Sequence, residues 1–111
     1  MPWIKFEDNF PEHPKVLALS DAAFRLHVRA IGYSARHLTD GHVSSAALRS
    51  LTRRTVLPEE LVAVGIWETT KEGYLVHDYL HYQPSKAEVQ EQRMAKKVAG
   101  KKGADSRWHG K

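Results

Sequence analysis

The sequence predicts an α+β fold: a body of short helices closed by a small antiparallel sheet, continued by a basic C-terminal helix and tail. Three observations predict it. Apolar residues recur at helical period from Ser20 to Leu38; two β-rich runs flank a Gly-containing turn between Ile66 and Tyr79; and two helices too short to bury their own faces lie between them.

A chain of 111 residues forms one domain with an extension and can bury a modest core. It has no cysteine, which excludes disulfides and thiolate zinc sites. No apolar run approaches the ~20 residues of a membrane span, and no secretory segment follows Met1, so a cytoplasmic protein without membrane contact is expected. The net charge of +4 is unevenly placed. From Lys86 to Lys111 there are eight Lys or Arg against three acids, and before that nine against ten. The boundary lies near residue 84, with a globular unit over 1–84 and a basic segment over 85–111. Such asymmetry points to an acidic partner for the segment, with a solubilising tail as the plainer alternative.

Trp3 to Glu7 mix aromatic, β-branched and charged residues, as in a short strand or extended arm that docks Trp3 and Phe6. Asp8-Asn9-Phe10-Pro11 signals a turn, and His13 to Leu17 a single helical turn with Pro14 near its start. Ser20 caps the long helix, and Asp21 suits its positive end. Phe24, Val28, Ile31, Ala35 and Leu38 form its apolar face, widened by Ala23, Leu26, Ala30 and Tyr33, with Arg25, Arg29 and Arg36 opposite. His27 and His37 read as surface or boundary positions. Thr39-Asp40-Gly41 stops the helix, and His42-Val43-Ser44 allows a minimal strand.

Ser44 or Ser45 caps a second helix to about Thr52, with Leu48 and Leu51 inward. After a break at Arg53-Arg54-Thr55, Pro58 opens a third helix that buries Leu61, Val62 and Val64 and ends at Gly65. Ile66 to Thr70 and Tyr74 to Tyr79, joined by Lys71-Glu72-Gly73, read as a hairpin. Ser85-Lys86-Ala87-Glu88 is a capping box, so a helix starts there, with a thin apolar face of Ala87, Met94, Ala95 and Val98. Beyond Gly100 the composition reads as disordered.

Long helix, tiny strand, two short helices and a hairpin is the connectivity of a winged helix, a three-helix core with a β-hairpin wing. The residues agree with that expectation. Trp3-Ile4-Lys5 and the run from His13 to Leu26 resemble the opening of bacteriophage and prophage replication-initiation (replisome organiser) proteins. So do Leu38 to Val43, Leu61-Val62 through Trp67, Gly73-Tyr74 with His77-Asp78-Tyr79, and Tyr82 to Ser85. The likeness covers roughly residues 3–94 and rests on packing and turn residues. It implies an N-terminal winged helix acting on DNA in replication initiation or regulation.

In a DNA-reading winged helix the third helix enters the major groove and the wing touches phosphates or the minor groove. Here that helix starts with Glu59 and Glu60, which repel phosphates, and continues mostly apolar. Phosphate contacts of the domain are therefore expected from Arg49, Arg53 and Arg54, with Lys71 at the wing tip; solvation of a surface turn is an equal alternative for the arginines. In the C-terminal segment Lys86, Arg93, Lys96, Lys97, Lys101, Lys102 and Arg107 suit a phosphate backbone. About five to seven such contacts give a log K against log salt slope of roughly −4 to −6. Trp108 suits stacking on a base, or else remains a loose aromatic. The expected partner is double-stranded DNA. A protein of a replication or recombination complex is the rival, an excision factor for a recombinase a further one, and a homodimer through the basic helix a lesser one.

His77-Asp78-Tyr79-Leu80-His81 imitates a helical zinc-protease motif but follows a strand pattern. No Walker lysine, nucleotide fingerprint or nucleophile elbow occurs. The expectation is no catalysis, no metal and no cofactor.

Overall fold

The computed structural model describes residues 3–77 and 79–109, with the side chains of residues 81, 82 and 99–109 outside the description. A 3₁₀ turn (Phe10–Glu12) precedes α1 (Pro14–Leu17), α2 (Asp21–His37), β1 (His42–Ser44), α3 (Ser45–Leu51) and α4 (Val56–Ala63). Then come β2 (Trp67–Thr69), β3 (Gly73–Val76), α5 (Tyr79–Tyr82) and α6 (Lys86–His109). The strands form one antiparallel sheet in the order β1-β3-β2, with Val43 opposite Tyr74 and Trp67 opposite Val76.

Helix α2 is the wall on which the body packs. Ser20 caps it, its hydroxyl accepting from the Ala23 amide at 3.2 Å. The buried stripe is Ala23, Leu26, His27, Ala30, Ile31 and Ser34. This corrects the expected face: Phe24, Val28, Ala35 and Leu38 are half-buried, and the helix is rotated to bring two polar residues inward. The reason lies in their partners. His27, expected at the surface or at its boundary, is 3 % exposed and accepts a hydrogen bond from Trp67 Nε1 at 3.0 Å. Ser34 Oγ accepts from the Gly41 amide at 2.7 Å and pairs with Thr39 Oγ1 at 2.7 Å. A buried polar atom is tolerated when it is hydrogen-bonded. Around this stripe lie Val43, Leu51, Leu57, Leu61, Trp67, Val76 and Tyr79, each large side chain contributing about 1.5–3 kcal/mol by leaving water.

Leu38 ends α2 in the left-handed region at φ 57°, and Gly41 follows at φ 90°. A side chain at Gly41 would meet Tyr79 Cβ at 2.7 Å, so this turn requires glycine. Ser44 caps α3, accepting from the Ala47 amide at 3.1 Å. Helix α4 begins two residues before the expected Pro58, which falls in its first turn, where its missing N–H is no loss. Leu57, Pro58 and Leu61 are its buried side, whereas Val62 and Val64 are half-buried.

The hairpin is present, but its second strand stops at Val76. Tyr79 instead opens a helical turn and is buried. Burial raises its phenol pKa, the Asp40 charge adds to the rise, and a hydrogen bond with Ser34 opposes it. The N-terminal arm forms no strand, and Trp3, expected to dock, is 84 % exposed. Ile4 packs on the core instead, and Phe6 lies on Phe10 with ring centroids 5.1 Å apart. The buried Gln83 amide pairs with both the N–H and the C=O of Lys5, standing in for a neighbouring strand.

Ser85 opens α6 as expected: its hydroxyl accepts from the Glu88 amide at 3.1 Å and donates to the Glu88 carboxylate. Asp40 adds a second anchor, accepting from the Lys86 amide at 2.6 Å. The helix continues beyond Gly100, where disorder was expected, to His109. No proline interrupts that run, and Lys, Ala and Arg around the glycines favour helix, against about 1 kcal/mol for each glycine. Among the described residues no helix is long and apolar enough to cross a membrane.

Candidate nucleic-acid interface

The α3–α4 connection gathers three of the nine cations of the body. Arg49 on α3 and Arg53-Arg54 in the turn line one open groove of about 400 Å³, together with Thr52, Thr55 and Tyr74. All three arginines are exposed. The turn is shaped by Thr52, whose hydroxyl accepts from the Arg54 amide at 3.1 Å, and Leu57 N–H donates to Arg54 O at 3.3 Å. Threonine hydroxyls beside guanidinium groups are donors suited to phosphate oxygens.

The wing closes the groove because it is tied to the start of α3. Ser45 N–H donates to Glu72 O at 3.0 Å, and Thr70 N–H donates to Gly73 O at 2.9 Å. Gly73 is what allows this approach, since a Cβ there would collide with the Val43 carbonyl and with Ser45 N at 2.8 Å. Tyr74, half-buried beside Trp67 at 5.7 Å, reaches the groove from the sheet. Lys71 is not brought to the arginines. It lines a separate groove on the other side of the wing, with Tyr33, His42 and again Tyr74.

The acidic start of α4 is less repulsive than its sequence suggests. The Glu60 carboxylate is turned to α2, accepting from the Ser20 amide and, at 2.9 Å, from its hydroxyl. Glu59 remains exposed beside Val56, which is 57 % exposed, and Ala63. The exposed side of α4 thus offers Glu59 but no arginine, lysine, asparagine or glutamine to read base edges. Arg29 is exposed, as expected, and its guanidinium also donates to Leu51 O at 2.7 Å, supporting the end of α3.

Along α6, Arg93, Lys96 and Lys97 are exposed and share a face at spacings of three and four, with Lys86 two turns earlier. The side chains of Lys101, Lys102, Arg107 and Trp108 lie outside the described residues. Of the residues that imitate a zinc motif, His77 sits in a turn before α5, while Asp78 and the His81 side chain lie outside the described residues; among the described residues no group of three could hold a metal.

Tyr74, Thr52 and Thr55 are not marked by the sequence alone as residues of the site. Thr52-Arg53-Arg54-Thr55, hydroxyls bracketing two cations, was the signal available for the threonines. Tyr74 carried none, because only the register of β3 against β1 brings it there. Comparison with family models, with curated proteins and with solved structures finds no match.

Proposed function

We propose that the chain is a winged-helix DNA-binding protein of the phage or prophage replication-initiation kind, gripping duplex DNA through phosphates rather than through base edges. The observation that supports this most is the convergence of Arg49, Arg53 and Arg54 on one groove walled by Tyr74. The helix order and the β1-β3-β2 sheet order agree with a winged helix. The basic face of α6 supplies long-range attraction, and the turn between α3 and α4 supplies register.

The test is duplex affinity of the full chain across a salt series. Replacing Arg49, Arg53 and Arg54 together by Ala is expected to make the log–log slope less negative by about 2–3. An unchanged slope and affinity overturns the role of the groove. A second reading has its own observation: Val56, Glu59 and Ala63 give α4 a face suited to a protein, not to a base pair. If the unaltered chain shows no salt-dependent DNA binding, this adaptor reading replaces the first.

A further inference from the structure

We propose that α6 pairs antiparallel with α6 of a second copy of this chain, across a centre made of Met94 and Val98. The helix runs for 24 residues, about 36 Å at the α-helical rise. All its side chains from Gln90 to Val98 are exposed. Met94 is 65 % and Val98 51 % exposed. Four positions apart, they stand on one face, and Ala87 lies on the same line two turns before Met94. Helices in proteins draw most of their stability from packing such a face rather than from propensity.

The charges select what covers it. Between Lys86 and Val98 no acid stands three or four positions from a base. Instead Glu88 and Glu91 are three apart, and Arg93 stands three from Lys96 and four from Lys97. Like charges at these spacings repel within one helix. The signs are also divided along α6. Glu88 and Glu91 precede Arg93, and from Arg93 to Arg107 the sequence carries six Lys or Arg against Asp105. A parallel copy sets acid on acid and base on base. A uniformly acidic partner answers only the basic half. An antiparallel copy answers both halves at once, each acidic start lying along the basic end of the other, which is the self-complementarity of a two-fold dimer.

The register follows from the apolar pair. Met94 against Val98 of the second copy, and Val98 against its Met94, centres the dimer on residue 96. In that register Glu91 falls level with Lys101 of the copy and Glu88 beside its Lys102, twice over by symmetry. Lys97 comes near its own counterpart, which keeps the association weak. Lys96, two positions from Met94, lies on the opposite side of the helix, so it stays open on the outer face together with Arg93. The inference does not rest on the DNA reading, and the two faces are compatible.

Sedimentation equilibrium of the full chain without nucleic acid, from about 10 µM to 1 mM at low salt, is the test. The expected result is a monomer–dimer equilibrium with a Kd of about 50–500 µM, as suits a small polar interface, weakening as salt is added. Glu91→Lys is expected to weaken it about tenfold, and so is Lys101→Glu, because each turns two attractive pairs into repulsive ones. The two substitutions in one chain are expected to restore it. Met94→Ser with Val98→Ser is expected to leave only monomer over the same range, with Tm within about 2 °C of the unaltered protein because both positions are exposed. A monomer throughout, a dimer indifferent to Glu91→Lys or to the serine pair, or no restoration by the double reversal overturns the proposal.

Discussion

Residues 3–83 bury Trp67, Leu61 and Val43 around α2, whereas along α6 no side chain from Gln90 to Val98 is buried. The charge divides the other way. The first 85 residues carry nine Lys or Arg against ten acids, and the remainder carries eight against three. Helix α6 is tied to the body at its first turn, where Asp40 accepts from the Lys86 amide, and its Met94 and Val98 remain exposed. Cohesion and cationic attraction are thus placed in different parts of the chain. Substitutions should therefore separate them, and each prediction below tries that separation.

The largest effect is expected in the core. Trp67→Ala removes a side chain only 1 % exposed, together with the partner of His27, and should cost about 3–5 kcal/mol in denaturant unfolding. Met94→Ala on α6 should stay within about 0.5 kcal/mol. Comparable losses from the two would erase the contrast.

Next comes acid. Burial holds the His27 pKa at about 4, down from 6.5. The unfolded chain then binds more protons than the folded one between those values. Stability is therefore full above pH 6.5 and declines as the pH falls toward 4. The expected loss is about 3 kcal/mol. Unfolding curves of the protein and of His27→Gln at pH 7.5 and 4.5 check this, with the variant losing less over the same interval. A parallel loss in both would show that His27 is not the cause.

Ser34→Ala leaves the Gly41 amide without its acceptor at the end of α2 and should cost about 1–3 kcal/mol, read as a lower unfolding midpoint. The smallest stability effect is expected on α6, where the proposed DNA contact is tested. Lys96→Gln with Lys97→Gln should leave Tm within about 2 °C while making the salt slope for duplex DNA less negative by about 2. A fall in Tm with no change in slope would place these lysines in the fold rather than in the interface.

The parts of the fold legible in the sequence are those specified by near neighbours. Ser20 before α2, Ser44 before α3 and the Ser85–Glu88 pair before α6 each satisfy amides within three residues. The hairpin was readable from two β-rich runs around Glu72-Gly73. The rotation of α2 was not readable, since Phe24 and Val28 are more apolar than the His27 and Ser34 that displace them. Nor was the start of α4, because Pro58 is equally acceptable at several first-turn positions. Of the candidate site, the three arginines could be named from the sequence, but their convergence and the exclusion of Lys71 could not. The wing's position relative to α3 depends on Ser45 meeting Glu72, 27 residues away.

Composition and spacing by themselves determined the order of elements from the long helix to the hairpin, the serine caps of α2, α3 and α6, and the basic C-terminal segment, because those depend on charge count and on hydrogen bonds between residues a few positions apart. Tertiary structure alone decided that His27 is buried against Trp67 and that Glu60 faces Ser20, both across 40 residues, and that Gln83 clamps Lys5 across 78. A polar side chain carries no local mark of a partner that distant. Whether it faces water or the interior is settled only when the chain closes and either supplies that partner or leaves the group unpaired.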